Sequence, residues 1–214
     1  PFLELRILKN KKYAVSVVGS VLLYLVMMGS TILMPLYVQS VLGYSATVSG
    51  LAILPGSLSM ALVSPFVGKA YDKAGMKTLF VCGAGSMFIS NLGMFFISMN
   101  TSLFVAMALN VVRNVSIGCL LMPLVTWGTS GIRKELTADA TALLTALRTM
   151  AGAVGSAVFV GIMNVIAERS VANHGANAPL QGVKVAFLCM GGISFLLLMV
   201  SLFLCESGRK RGRG

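Results

Sequence analysis

The sequence is short of charge, and shortest of negative charge. Only 11% of its 214 residues are charged, and only six are acidic. A soluble domain carries about 25% charged residues, so this chain cannot cover itself with a water-facing surface. Histidine occurs once, at His174, which excludes a histidine-rich metal centre. The four cysteines, Cys82, Cys119, Cys189 and Cys205, fall in apolar runs without Cys-x-x-Cys spacing, and read as packing residues. No nucleophile elbow, phosphate-cradling glycine loop or ligand cluster is present, so the sequence describes neither an enzyme nor a cofactor protein.

What is abundant is apolar sequence. Hydrophobic residues make up 57% of the chain and the mean hydropathy is +0.88. No charge occurs between Lys12 and Lys69, nor between Lys77 and Arg113. A membrane-crossing helix needs about 20 apolar residues, so each of these runs holds two spans and a turn. The turns are expected at Gly43-Tyr44-Ser45-Ala46-Thr47 and at Ser98-Met99-Asn100-Thr101. Two further apolar stretches complete a set of six spans, predicted at 13–38, 48–68, 79–98, 102–125, 140–166 and 185–205. The expected organisation is a short segment 1–12, an all-α six-helix membrane bundle over 13–205, and a basic tail over 206–214. The chain opens on Pro1 rather than Met, and a preceding portion is expected.

The net charge of +11 could suggest a nucleic-acid partner, but the basic residues follow a topological rule instead. Arg6, Lys9, Lys11 and Lys12, then Lys69, Lys73 and Lys77, then Arg133 and Lys134, then Arg209, Lys210, Arg211 and Arg213 all fall on one side of a six-span arrangement. The other side receives Arg169 and Lys184 alone. Cytoplasmic loops carry the excess of Lys and Arg, so both termini are expected in the cytoplasm of a plasma membrane. No aromatic interleaving or binding motif supports a nucleic-acid role.

Within the spans, two arginines stand out. Arg113 lies near the middle of the fourth span, where a charge costs about 2.5–3.5 kcal/mol on the insertion scale. Asn110 and Asn114 share its side of the helix, so the three form a polar patch expected to face protein, substrate or a carboxylate from elsewhere. Arg148 lies about eight residues into the fifth span, near enough to the cytoplasm to snorkel, on a stripe with Thr141, Thr145, Gly152, Gly155 and Ser156 that reads either as a helix-packing seam able to slide or as static packing. Tyr24, Met27 and Met28 in the first span form a candidate adaptable wall for apolar ligands. Spans one, two, four and five carry the arginines and Pro35, Pro55, Pro65 and Pro123, and are expected to line the interior. Spans three and six have neither feature and are expected to face lipid. No acidic residue lies deep in a span, so a proton-coupled cycle needs a carboxylate from another part of the protein.

The segment Gly68-Lys69-Ala70-Tyr71-Asp72-Lys73-Ala74-Gly75-Met76-Lys77 resembles the loop motif G-x-x-x-D-[RK]-x-G-x-[RK] of the major facilitator superfamily. Met34-Pro35-Leu36-Tyr37-Val38-Gln39, Gly50-Leu51-Ala52-Ile53-Leu54-Pro55 and Arg148-Thr149-Met150-Ala151-Gly152-Ala153-Val154-Gly155 look like the C-terminal half of its fourteen-span drug:proton antiporters, the EmrB/QacA type. The resemblance implies one half of a transporter fold, a 3+3 inverted repeat of spans. It implies export of small amphipathic substrates driven by a proton gradient, with the N-terminal half as partner. It assigns Gly68, Asp72, Lys73 and Gly75 to gating, with tight turns expected at both glycines. Leu109-x-x-x-Arg113 followed by Gly118 departs by one residue from the fourth-span pattern of N-terminal halves, so a coupling role does not transfer to Arg113. A carrier of an endogenous metabolite or lipid, and a non-transporting remnant, stand as alternatives.

Overall fold

A computed structural model describes residues 8–97 and 102–203. Among these, all regular structure is helical. Helix α1 runs Lys11–Leu36, α2 Ala46–Phe95, α3 Leu103–Thr129, α4 Thr137–His174 and α5 Ala178–Phe203. Helices are the natural outcome for apolar runs in lipid, because each backbone N–H and C=O then pairs within its own segment. Short polar side chains begin three of them: Asn10, Ser45 and Ser102 accept from the backbone N–H groups of Tyr13, Val48 and Phe104. Pro35 removes one backbone donor near the end of α1, and a π-helical turn, Tyr37–Val41, follows directly.

Four continuous stretches are long and apolar enough to cross a membrane: Lys11–Val41, Ala46–Phe95, Leu103–Thr129 and Lys134–Phe203. The second and last are broken within. Gly75, at φ 82° and ψ 165°, divides α2 into arms 46–74 and 76–95. Gly175, at φ 53°, ends α4, and a single 3₁₀ turn, Gly175–Asn177, leads into α5.

The packing pairs α2 with α3 and α5, and α1 with α4. One large core includes Leu23, Leu33, Phe80, Met87, Leu120, Phe187 and Met190. A smaller cluster of Tyr13, Val17, Ala140, Leu143 and Leu144 closes one end. There the Tyr13 hydroxyl donates to the Ala140 carbonyl at 2.6 Å, and Lys12 sits 5.6 Å from the centroid of Trp127. These contacts gather the starts of α1 and α4 and the end of α3 at a basic end. At the opposite end, Lys184 lies over Phe95 at 5.4 Å and joins α5 to the second arm of α2.

Several expectations from the sequence are corrected. The polar segment 168–184 was expected to be a loop, but α4 continues to His174 and α5 starts at Ala178. Its alanines and long polar side chains are good helix formers, so polarity there marks the end of the apolar surface and not the end of the helix. The motif segment 68–77 is likewise helical except at Gly75. Gly68 makes no turn. Spans three and six do not simply face lipid: 76–95 buries Phe80, Met87, Ser90 and Asn91, and α5 buries Phe187, Met190, Ser194 and Leu197. A helix that is apolar on all sides gives no periodic signal of its inward face. The expected break at 98–101, Cys205 and the basic tail lie outside the described residues.

Candidate functional site

The polar interior of the bundle centres on Arg113. It is fully buried on α3. Its Nε donates to Asn91 Oδ1 at 3.0 Å and its Nη1 to Asn110 Oδ1 at 3.2 Å. The guanidinium carbon lies 4.9 Å from the centroid of Phe187 on α5. Asn91 in turn donates to Ser194 Oγ at 2.8 Å, and Ser194 donates to the Met190 carbonyl at 2.9 Å. Asn114 completes the patch by donating to the carbonyl and Oδ1 of Asn110, one helical turn before it. The chain of hydrogen bonds therefore ties the second arm of α2 to α3 and α5.

This arrangement solves an energetic problem without a counter-ion. A buried cation needs acceptors or an aromatic face to replace its hydration, and two amide oxygens and Phe187 supply them. Arg113 Nη2 and Asn110 Nδ2 are buried without an acceptor. The first arm of α2 closes over the patch at Gly56, where a Cβ would meet Asn110 Nδ2 at 2.7 Å and Asn114 Nδ2 at 2.6 Å. Arg113 and Asn110 are thus enclosed by their own bundle, and Asn114 is half-buried. Asn91, Ser194 and Phe187 were not singled out in the sequence. Asn91 left a signal, as the one amide side chain within 79–98.

A second constellation joins residues that the sequence had assigned to separate roles. Arg148 on α4 lies with its guanidinium carbon 4.8 Å from the ring centroid of Tyr24 on α1. Its Nε and Nη1 are buried and have no hydrogen-bond acceptor. Gly152 and Gly155, both buried, bring the two helices together. A Cβ at Gly152 would meet Met28 Cγ at 2.8 Å and Tyr24 Cδ1 at 3.4 Å, while one at Gly155 would press on the backbone of Leu25 at 3.2 Å. Met27 packs against the main core. The stripe expected on α4 divides: Gly152 and Gly155 face α1, Thr141 and Ser156 are half-buried, and Thr145 is exposed.

The third group is the motif at the basic end. Asp72 and Lys73 are exposed on the last turn before the Gly75 break. A pocket of about 320 Å³ opens there between the first arm of α2 and α3, lined by Met60, Ser64, Val67, Gly68, Tyr71, Asp72, Gly118, Leu121, Met122, Pro123 and Thr126. Within its lining Gly118 faces Met60, where a Cβ would meet Met60 Cγ at 3.2 Å.

Known proteins share this sequence pattern. The profile described as Major Facilitator Superfamily matches residues 1–156. An uncharacterized MFS-type transporter of Bacillus subtilis, YcnB, is 27% identical over 209 residues, covering 98% of this chain and 44% of the relative. The lincomycin resistance protein LmrB of Bacillus subtilis is 34% identical over 163 residues, 76% of this chain and 34% of the relative. The multidrug export protein EmrB of Haemophilus influenzae is 31% identical over 159 residues, 74% of this chain and 31% of the relative. The chain thus spans less than half the length of these relatives. Most of the described fold, from α1 into α4, lies within the matched profile, and the chain belongs to the major facilitator superfamily.

Proposed function

We propose that the chain is the C-terminal six-helix half of a proton-driven exporter of small amphipathic compounds, working by alternating access against an N-terminal half. The observation that carries the reading is the α1–α4 face. Arg148, the twelfth of the 38 residues of α4, and Tyr24 and Met28, near the middle of α1, are only half-buried, with Thr145 and Thr149 exposed beside Arg148. Polar groups at that depth persist only against protein or a water-filled cavity. A second bundle with a cavity between the two halves provides both. The share of the relatives' length left uncovered is the size of such a partner.

Helix length supports six crossings. At 1.5 Å per residue, the 50 residues of α2 would extend about 75 Å, more than twice the ~30 Å hydrocarbon core. Two crossings with the bend at Gly75 fit instead, and the 70 residues of Lys134–Phe203 cross twice about Gly175. The alternating basic residues support a placement of both termini on the cytoplasmic side of a bacterial cell membrane. Gly68, Asp72, Lys73 and Gly75 sit at the pocket mouth and helix break of the cytoplasmic end, and take the gating role. The Gly152–Gly155 seam lets α1 and α4 shift against each other. The described spans hold no deep carboxylate, so the partner half supplies the proton-coupling group.

The test uses the complete open reading frame expressed in cells loaded in turn with fluorescent dyes of positive, zero and negative charge. Efflux that collapses on adding a protonophore supports the reading. Efflux unaffected by the protonophore refutes proton drive, and no efflux of any compound in a competition panel of drugs, metabolites and lipids refutes export.

A further inference from the structure

The two intramembrane arginines differ in how far their own bundle satisfies them. Arg113 is sealed from solvent and donates to two amide oxygens, with only Nη2 lacking an acceptor. Arg148 rests on the face of Tyr24 and is half-buried as a residue, while its Nε and Nη1 are buried with no oxygen acceptor, leaving donors that a bound carboxylate would satisfy. No acidic side chain of the described spans can serve it. Helices α1, α3 and α5 contain none. On α4 itself, Asp139 is nine residues before it and Glu168 twenty after it, about 14 Å and 30 Å along the helix. Asp72 lies at the basic end of α2, beside its own pocket.

A guanidinium presents its donors as a planar fork suited to a carboxylate, and stacking on an aromatic ring fixes the plane of that fork. Tyr24 supplies the ring, and Gly152 leaves the space in which Tyr24 and Met28 lie against α4. We propose that Arg148, oriented by Tyr24, is the anion-recognition group of the substrate face, and that the substrates this half selects are amphiphiles bearing a carboxylate. The inference rests on the reading of the α1–α4 face as a substrate face. Met28, beside Tyr24, contacts the apolar part of such a molecule.

The test uses the protein of the complete open reading frame in nanodiscs of zwitterionic lipid, with three dansyl probes of equal chain length: an alkyl carboxylate, its methyl ester and an alkylammonium. Dansyl anisotropy reports binding after subtraction of protein-free discs. The carboxylate should bind about tenfold more tightly than the ester, and the ammonium more weakly than either. Arg148→Gln should abolish the preference, Arg148→Lys should keep part of it, and Tyr24→Phe should retain more of it than Tyr24→Leu. Arg169→Gln, which removes an exposed charge near the far end of α4, should leave it intact. Each variant is accepted only with the wild-type elution profile and melting temperature. Equal binding of carboxylate and ester by the unsubstituted chain, or a preference that survives Arg148→Gln, overturns the anion assignment while leaving the substrate face standing. Failure to bind any of the three probes removes the substrate face itself, and this inference with it.

Discussion

At the scale of single residues, Arg113 shows how a charge is held in an apolar bundle without an ion pair. Its partners are Asn91 and Asn110, with Phe187 beneath. Removing the guanidinium would leave the Asn91 amide oxygen buried and unpaired, while Asn110 Oδ1 would keep Asn114 as a donor, at a cost of about 1–3 kcal/mol for a group of this kind. Arg113→Leu is therefore expected to lower stability by about that amount, and Arg113→Gln by less, because its amide restores one donor. Thermal unfolding in detergent, followed by helical circular dichroism, checks this. A more stable Arg113→Leu would show that burying the cation costs more than its hydrogen bonds return. That Arg113 faces inward was legible from the sequence, since a mid-span charge has nowhere else to go. Asn91 and Phe187 were not, because they meet it only through the packing of the second arm of α2 and of α5 on α3.

Among the elements, the decisive ones are the helix breaks. Gly75 adopts φ 82° and ψ 165°, a region that side chains with a Cβ enter at about 1–3 kcal/mol. Gly75→Ala should therefore destabilise the chain by roughly this amount and reduce export by the complete transporter. Gly68 is the opposite case. It is helical and an added Cβ would find open space, so Gly68→Ala should be neutral or gain up to about 1 kcal/mol in helix propensity. Parallel melting curves of the two variants decide the matter. Equal losses would mean that Gly68 needs its missing side chain for another reason, such as the pocket it lines. The motif named both glycines alike. Only the backbone separates them, because a sequence does not reveal which of two glycines carries the positive φ.

For the whole molecule, the six-crossing arrangement predicts an alternating pattern of accessibility. In a background with Cys82, Cys119, Cys189 and Cys205 replaced by serine, single cysteines at Lys73 and Arg133 should react with a membrane-impermeant maleimide only after the cells are opened. Cysteines at Tyr44 and Asn173 should react in intact cells. Labelling of all four from one side would overturn the arrangement. The helical hairpin about Gly175 makes Asn173 a strong probe, since it is exposed on the last turn of α4.

The sequence alone determined that this chain is helical and membrane-embedded, since run length and missing charge are local properties that lipid reads directly. It also named both arginines and the glycines beside them. Tertiary structure decided how they combine. It set Arg148 against Tyr24, enclosed Arg113 behind Asn110 and Gly56, and turned inward the faces of 76–95 and α5 that had looked fit for lipid. The physical reason is that lipid tails and core side chains are equally apolar. Hydropathy therefore says that a helix is buried without saying in what, and only the meeting of a few polar groups across helices fixes which face is which.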